Sequence, residues 1–80
     1  SNISEKIKIY PNPAENIINI VTENNVIELI EITNSLGQVV MRKESQNNIL
    51  KVDVSKLEYG TYLLNVLSQE TYLNKIIIKK

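Results

Sequence analysis

The 80-residue sequence contains no cysteine, no histidine and no tryptophan, and its only aspartate is Asp53. The absence of thiol and imidazole groups excludes thiol redox chemistry, a Cys/His zinc site and a Ser-His-Asp triad. The nearest carboxylate pair, Glu28 and Glu31, is expected on opposite faces of a strand, because side chains alternate along a strand. The sequence therefore predicts no catalytic residue, no cofactor site and no metal site.

Other scarce features exclude further classes of partner. Gly37 and Gly60 are the only glycines and are too far apart to form a phosphate-binding loop. Nine basic residues balance nine acidic ones, so no basic surface is available to attract nucleic acid. Apolar runs such as residues 63–64 and 76–78 are far shorter than the roughly 20 residues of a membrane-spanning helix. The first ten residues do not resemble a secretory signal, so another segment would supply one if the protein is secreted.

The remaining sequence has the composition of one small folded domain, with 42% hydrophobic and 22% charged residues. Short runs rich in isoleucine and valine are separated by Asn, Gly, Pro and Ser, which predicts strands joined by turns. The run 26–33 also fits a helical stripe, but its β-branched residues and short length favour a strand. Seven strands are predicted, at the spacing of a sandwich or small barrel: residues 6–10, 16–21, 26–33, 39–43, 49–54, 61–67 and 72–79. A polar break is expected at residues 44–48.

The stretch DVSKLEYGTYLLNV, residues 53–66, combines a turn, a glycine and a strand. Ser55 and Glu58 have the spacing of a capping box, which predicts one helical turn that places Leu57 in the core. Both faces of the following strand are largely apolar, as in the middle of a sheet. We therefore expect a two-sheet antiparallel sandwich with one core, which includes Ile30, Ile32, Leu57, Tyr62, Leu64 and Val66.

Two turns are predicted to need a positive φ. Gly60 is expected to end the turn before its strand in this conformation. Asn34 is expected to open a hairpin turn that Gly37 closes in the same way.

The two ends of the chain carry further signals. Pro11 and Pro13 cannot donate to a strand ladder and keep Tyr10 and Asn12 out of the helical region, so a rigid corner is predicted between the first two strands. The last stretch, NKIIIKK, is interpreted as a final core strand whose exposed lysines guard an edge.

In this order, the motifs resemble the C-terminal sorting domain of the type IX (Por) secretion system of Bacteroidetes. YPNPAENIINI resembles its opening Y-P-N-P signature, ITNSLGQVV its glycine turn, DVSKLEYGTYLLNV its D-x-S-x-L-x-x-G-x-Y block and NKIIIKK its closing strand. The resemblance covers about residues 6–80. The residues that carry the structural motifs are Tyr10, Pro11, Asn12, Pro13, Gly37, Asp53, Ser55 and Leu57.

The resemblance implies a non-catalytic domain at residues 6–80, folded as a seven-stranded antiparallel immunoglobulin-like β-sandwich, after a linker or non-native remnant at residues 1–5. Such a domain is attached to a larger cargo protein that passes through the periplasm. Components of the type IX translocon recognise it, and a sortase-like cell-surface peptidase removes it, leaving the cargo on the cell surface or secreted. The residues implied in translocon recognition are Gly60, Tyr62, Lys75, Ile76, Ile77, Ile78 and Lys79.

Two alternatives remain open. The first is an immunoglobulin-like adhesion or carbohydrate-binding module, which would need exposed aromatic side chains as sugar platforms. Four tyrosines and no tryptophan equip the chain poorly for that role. The second is a structural spacer in a multidomain surface protein. A sorting signal must end its open reading frame, whereas a spacer can be internal.

Overall fold

The computed structural model describes residues 7–69 and 71–80, and every regular element within them is a β-strand. The predicted linker at residues 1–5 and Lys6, the first residue of the predicted first strand, lie outside the described residues. Among the described residues, no helix is long and apolar enough to cross a membrane. The seven predicted strands are confirmed: β1 (Ile7–Tyr10), β2 (Ile17–Thr22), β3 (Ile27–Thr33), β4 (Val39–Asn47), β5 (Ile49–Asp53), β6 (Gly60–Ser68) and β7 (Thr71–Lys79).

The strands form two antiparallel sheets. One has the order β1-β2-β5 and the other has the order β4-β3-β6-β7. In the lettering of immunoglobulin domains, β1, β2 and β5 correspond to strands A, B and E, while β3, β6 and β7 correspond to C, F and G. The strand β4 extends the second sheet beside β3. The predicted seven-stranded antiparallel sandwich is confirmed, and its strand order is that of an immunoglobulin-like fold.

The core lies between the sheets and is dominated by isoleucine, leucine and valine from alternate strand positions. β6 lies between β3 and β7, which confirms the predicted central strand. Its inward-facing residues are buried, whereas Leu63 on its other face is exposed. Of the predicted core residues, Ile30, Ile32, Tyr62, Leu64 and Val66 are buried, and Leu57 is partly buried against them.

β4 is four residues longer than predicted, the largest difference among the strands. The polar segment 44–48 was expected to break the chain, but β4 continues to Asn47, and the chain bends at Asn48. Every residue of β4 is exposed or half-buried. Backbone pairing with β3, rather than burial of a face, therefore defines this edge strand. A strand of that kind leaves no alternation of apolar residues for sequence analysis to detect.

The placement of Glu28 and Glu31 on opposite faces stays a prediction, because β3 is irregular beside them. The pairing of β3 with β4 shifts directly after Ile27, and Ile27 and Ile30 are both buried although three positions separate them. The extra residue of this bulge lies on β4, between Asn47 and Glu44, and the two carboxylate residues are exposed and half-buried. They make separate contacts: Glu28 Oε1 accepts from the backbone N–H of Gln69 at 2.9 Å, and Glu31 Oε2 lies 3.5 Å from Arg42 Nε.

Candidate functional site

The antiparallel ladder of β6 and β7 contains all the residues predicted for recognition. Gly60 pairs with Lys79, and Tyr62 pairs with Ile77. Two stretches that are separate in the sequence therefore lie side by side. Because side chains alternate along each strand, the ladder has a face toward the core and an outer face. The core-facing side chains are those of Tyr62, Lys75, Ile77 and Lys79, and the outward-facing ones are those of Ile76 and Ile78.

Tyr62 and Ile77 are buried, with 8% and 2% of their surfaces exposed. The Tyr62 hydroxyl donates a hydrogen bond to the carbonyl oxygen of Glu58 at 2.7 Å. A tyrosine near the start of strand F that bonds to the backbone a few residues upstream is the tyrosine corner of immunoglobulin-like domains. Tyr62 therefore fastens the loop between β5 and β6 and offers little surface to a partner.

Lys79 is also buried, with 7% of its surface exposed, whereas Lys75 is exposed. The Nζ of Lys79 donates to the carbonyl oxygen of Lys80 at 2.9 Å and lies 5.6 Å from the centre of the Tyr59 ring, within cation–π range. The expectation that both lysines are exposed edge charges is thus wrong for Lys79. Both share the core side of β7, but the loop at residues 55–59 lies beside Lys79 only.

The three consecutive isoleucines do not all belong to the core. Ile77 is buried, whereas Ile76 is 61% and Ile78 46% exposed, because strand alternation turns them outward. Ile76 pairs with Leu63 on β6, and Leu63 pairs with Thr33 on β3. Thr33 in turn pairs with Val39 on β4. We call this line across the outer face the outer apolar row; its apolar members are Ile76, Leu63 and Val39, and the hydroxyl residue Thr33 lies between the last two.

Both glycines have the predicted positive φ, 83° at Gly37 and 148° at Gly60. A β-carbon at either position would meet no atom within 4 Å, so backbone conformation rather than space requires glycine. At the first turn, Asn34 Oδ1 accepts from the backbone N–H groups of Leu36 and Gln38, both at 3.0 Å. The predicted turn is confirmed, and the side chain of Asn34 accepts hydrogen bonds from two of the turn's backbone amides.

The predicted capping box at Ser55 and Glu58 does not form. The Ser55 backbone N–H instead donates to Asp53 Oδ1 at 2.9 Å, and the Leu57 N–H donates to the Val54 carbonyl oxygen at 3.0 Å. Residues 55–57 form turns rather than a helix. The aspartate side chain bonds the amide two residues on, as Asx turns do, and ends β5. The hydroxyl and the N–H of Ser55 lower the pKa of the Asp53 carboxyl below its usual range.

The predicted corner between β1 and β2 is confirmed. Tyr10 ends β1, Ile17 begins β2, and both bonds that precede Pro11 and Pro13 are cis. The corner is also held from β2, because Asn19 Nδ2 donates to the Tyr10 carbonyl oxygen at 3.2 Å. We use "the corner" for residues 11–16.

The corner also meets the outer edge of β7, which sequence analysis did not predict. Asn12 Nδ2 donates to the Ile76 carbonyl oxygen, and the Ile78 N–H donates to Asn12 Oδ1, both at 3.0 Å. The Ala14 N–H donates to the Ile78 carbonyl oxygen, and the Lys80 N–H donates to the Ala14 carbonyl oxygen, both at 2.7 Å. Asn12 and Ile76 are 64 positions apart, and no local pattern reports such a contact.

Three of the four tyrosines are exposed: Tyr10 (49%), Tyr59 (84%) and Tyr72 (59%). They lie on β1, on the loop between β5 and β6, and on β7. Exposure of single aromatic side chains is common on soluble domains. It therefore does not favour the carbohydrate-binding alternative. Within the described residues, no group of three or more acidic side chains is placed to hold a metal ion.

Comparison with known proteins gives two matches. Residues 8–80 match the family model described as "Secretion system C-terminal sorting domain". The chain is also 34% identical, over 79 residues, to Beta-agarase D of Zobellia galactanivorans. That alignment covers 96% of this chain but 16% of the agarase, so the chain spans about a sixth of the length of this relative.

Proposed function

Because the chain belongs to the family of secretion system C-terminal sorting domains, we propose that it is a non-catalytic address for type IX secretion. In this role it is attached to a larger cargo protein and directs that protein from the periplasm to the translocon of the outer membrane. A sortase-like peptidase then removes it, and the cargo stays on the cell surface or enters the medium. The observation that supports this function most strongly is the family match, which extends over residues 8–80.

We propose a larger cargo protein because the chain matches a small part of the length of the agarase. The matched region makes up 16% of that protein, so a domain of this kind can accompany a polypeptide several times its own length.

Burial divides the predicted recognition residues into two groups. A receptor contacts groups at the surface, so we assign direct recognition to the exposed members: Gly60, Lys75, Ile76 and Ile78. Tyr62, Ile77 and Lys79 instead hold the ladder in shape. The outer apolar row supports this assignment, because neighbouring exposed apolar side chains are more typical of interaction surfaces than single ones.

A fusion of the 80-residue chain behind a periplasmic reporter tests the function. In a cell that carries the type IX machinery, we expect the reporter at the cell surface or in the medium. Retention of a folded fusion in the periplasm would contradict the sorting function and would favour the structural spacer.

A pair of matched substitutions tests the recognised surface. Ile76→Ser changes the outer face of β7, and Ile49→Ser changes a similarly exposed isoleucine on β5 of the other sheet, since the two residues are 61% and 54% exposed. We expect Ile76→Ser to lower export of the folded fusion and Ile49→Ser to leave it unchanged. Equal export of the two variants would show that Ile76 is not part of the recognised surface.

A further inference from the structure

The corner occupies the place of a fifth strand beside β7. Its four hydrogen bonds to β7 and the residue that follows it involve Ile76, Ile78 and Lys80, which are alternate residues of the chain. Alternate residues of a strand direct their backbone groups to the same edge. Ile77 and Lys79, which lie between them, pair with β6 on the opposite edge. The end of β7 is therefore bonded along both edges.

The side chain of Asn12 replaces a peptide group in this arrangement. A strand neighbour would offer one acceptor and one donor at this position, and the amide of Asn12 offers both, to the Ile78 N–H and the Ile76 carbonyl oxygen. Ala14 then continues the pairing with its own backbone and forms a parallel bridge with Lys79. Only 1% of the Ala14 surface is exposed, so the corner is packed against the sandwich as well as bonded to it.

We propose that Asn12 is a positioning residue for the sorting surface: it holds the end of β7 in the sheet, so that Ile76 and Ile78 project together from the outer face. The recognised unit then comprises two segments, the corner near the start of the domain and the last strand. The expected effect of Asn12 on export rests on the proposed function, whereas its expected effect on β7 does not.

The competing explanation is that Asn12 contributes only to overall stability. Two substitutions separate the possibilities, because each removes a different part of the contact. Asn12→Ala removes both hydrogen bonds, whereas Asn12→Asp keeps an acceptor for the Ile78 N–H and loses the donor to Ile76. Asn16→Ala is the matched control, because Asn16 is an exposed asparagine of the same corner whose side chain makes no hydrogen bond to the described residues.

Hydrogen exchange of the 80-residue chain measures the effect on β7 directly. In Asn12→Ala we expect the Ile78 amide to exchange roughly tenfold faster, as loss of a hydrogen bond predicts, while the Ile77 amide keeps its rate. Asn12→Asp should accelerate Ile78 less, and Asn16→Ala should not accelerate it. An unchanged Ile78 rate in Asn12→Ala overturns the proposal. Equal acceleration of amides throughout both sheets also overturns it, because that result indicates a global effect.

Export of the reporter fusion measures the functional effect. Asn12→Ala is compared with Ile18→Val, a substitution of a buried residue on β2 in the other sheet, once urea titration has shown that the two variants have similar stability. We expect Asn12→Ala to be exported several-fold less than Ile18→Val. Equal export of the two overturns the proposal. If the unsubstituted fusion is not exported, the sorting function fails, while the exchange experiment still decides whether Asn12 positions β7.

Discussion

Gly60 lies directly opposite Lys79 in the antiparallel ladder of β6 and β7. At Gly60 the chain leaves the loop that contains Tyr59 and enters β6 with a φ of 148°. The ring of Tyr59 in that loop lies 5.6 Å from the ammonium group of Lys79. The start of β6 and the burial of the last lysine of β7 are therefore parts of one local arrangement.

The first prediction follows from the different burial of the two β7 lysines. Lys79→Glu places a carboxylate where a buried ammonium group donates to Lys80, and we expect it to lower the free energy of unfolding by about 1–3 kcal/mol. Lys75→Glu changes an exposed side chain and should alter stability by no more than about 0.5 kcal/mol. Urea titration checks both values, and equal midpoints for the two variants would contradict the assigned burial.

Because Lys75→Glu is expected to stay folded, it also reports on recognition. Lys51→Glu is its control, since Lys51 is an exposed lysine on β5 in the other sheet. If the charge of Lys75 is recognised, export of the fusion falls in Lys75→Glu and not in Lys51→Glu. Parallel results for the two variants would mean that Lys75 only protects the edge of the sheet.

The second prediction concerns the core. Leu64 is fully buried at the centre of β6, so Leu64→Ala should lower the free energy of unfolding by about 2–5 kcal/mol through lost burial and the cavity left behind. Leu36 is 81% exposed, and Leu36→Ala should change the same quantity by less than about 0.5 kcal/mol. A denaturant midpoint that Leu64→Ala leaves unchanged would refute the burial of β6.

The third prediction concerns the positive φ angles. Valine at Gly37 or Gly60 should cost at least about 1–2 kcal/mol, because its β-carbon conflicts with the backbone in the left-handed region. Asparagine tolerates that region better, so Gly37→Asn should cost less than Gly37→Val. Thermal unfolding of these variants provides the comparison. Equal losses for valine and asparagine at Gly37 would show that backbone conformation is not the cause.

The fourth prediction concerns the dependence of stability on pH. The folded-state pKa of Asp53 lies below its usual 3.8, so its contribution to stability is present above about pH 4 and is lost as the pH falls through the folded-state pKa. Asp53→Asn keeps an acceptor for the Ser55 N–H but does not titrate. Between pH 7 and pH 3 the urea midpoint should therefore fall less in Asp53→Asn than in the unsubstituted chain. An equal or larger fall in Asp53→Asn would contradict this linkage.

The sequence predicted those features that local patterns control. The alternation around Leu64 identified a central strand, and the glycines at positions 37 and 60 identified turns that need a positive φ. The extension of β4 escaped prediction because backbone pairing at a sheet edge requires no apolar pattern. The burial of Lys79 depends on a loop that is distant in the sequence, and periodicity alone does not report its position.

The contact of Asn12 with β7 was missed for the same reason. A corner was evident from the two prolines, but nothing local indicates what a side-chain amide will bond to 64 positions away. The fold class and the positions of the strands were therefore predictable. The composition of the candidate site was not, because it depends on contacts between segments that are distant in the sequence.

The most direct test of the sorting function compares export of the same reporter fusion in two otherwise identical cells, one with the type IX translocon and one without it. The quantity is the ratio of reporter outside the outer membrane to reporter in the periplasm, with the reporter alone as control. We predict a high ratio only for the fusion in the translocon-containing cell. An equal ratio in both cells, or periplasmic retention of a folded fusion in the translocon-containing cell, would contradict the account.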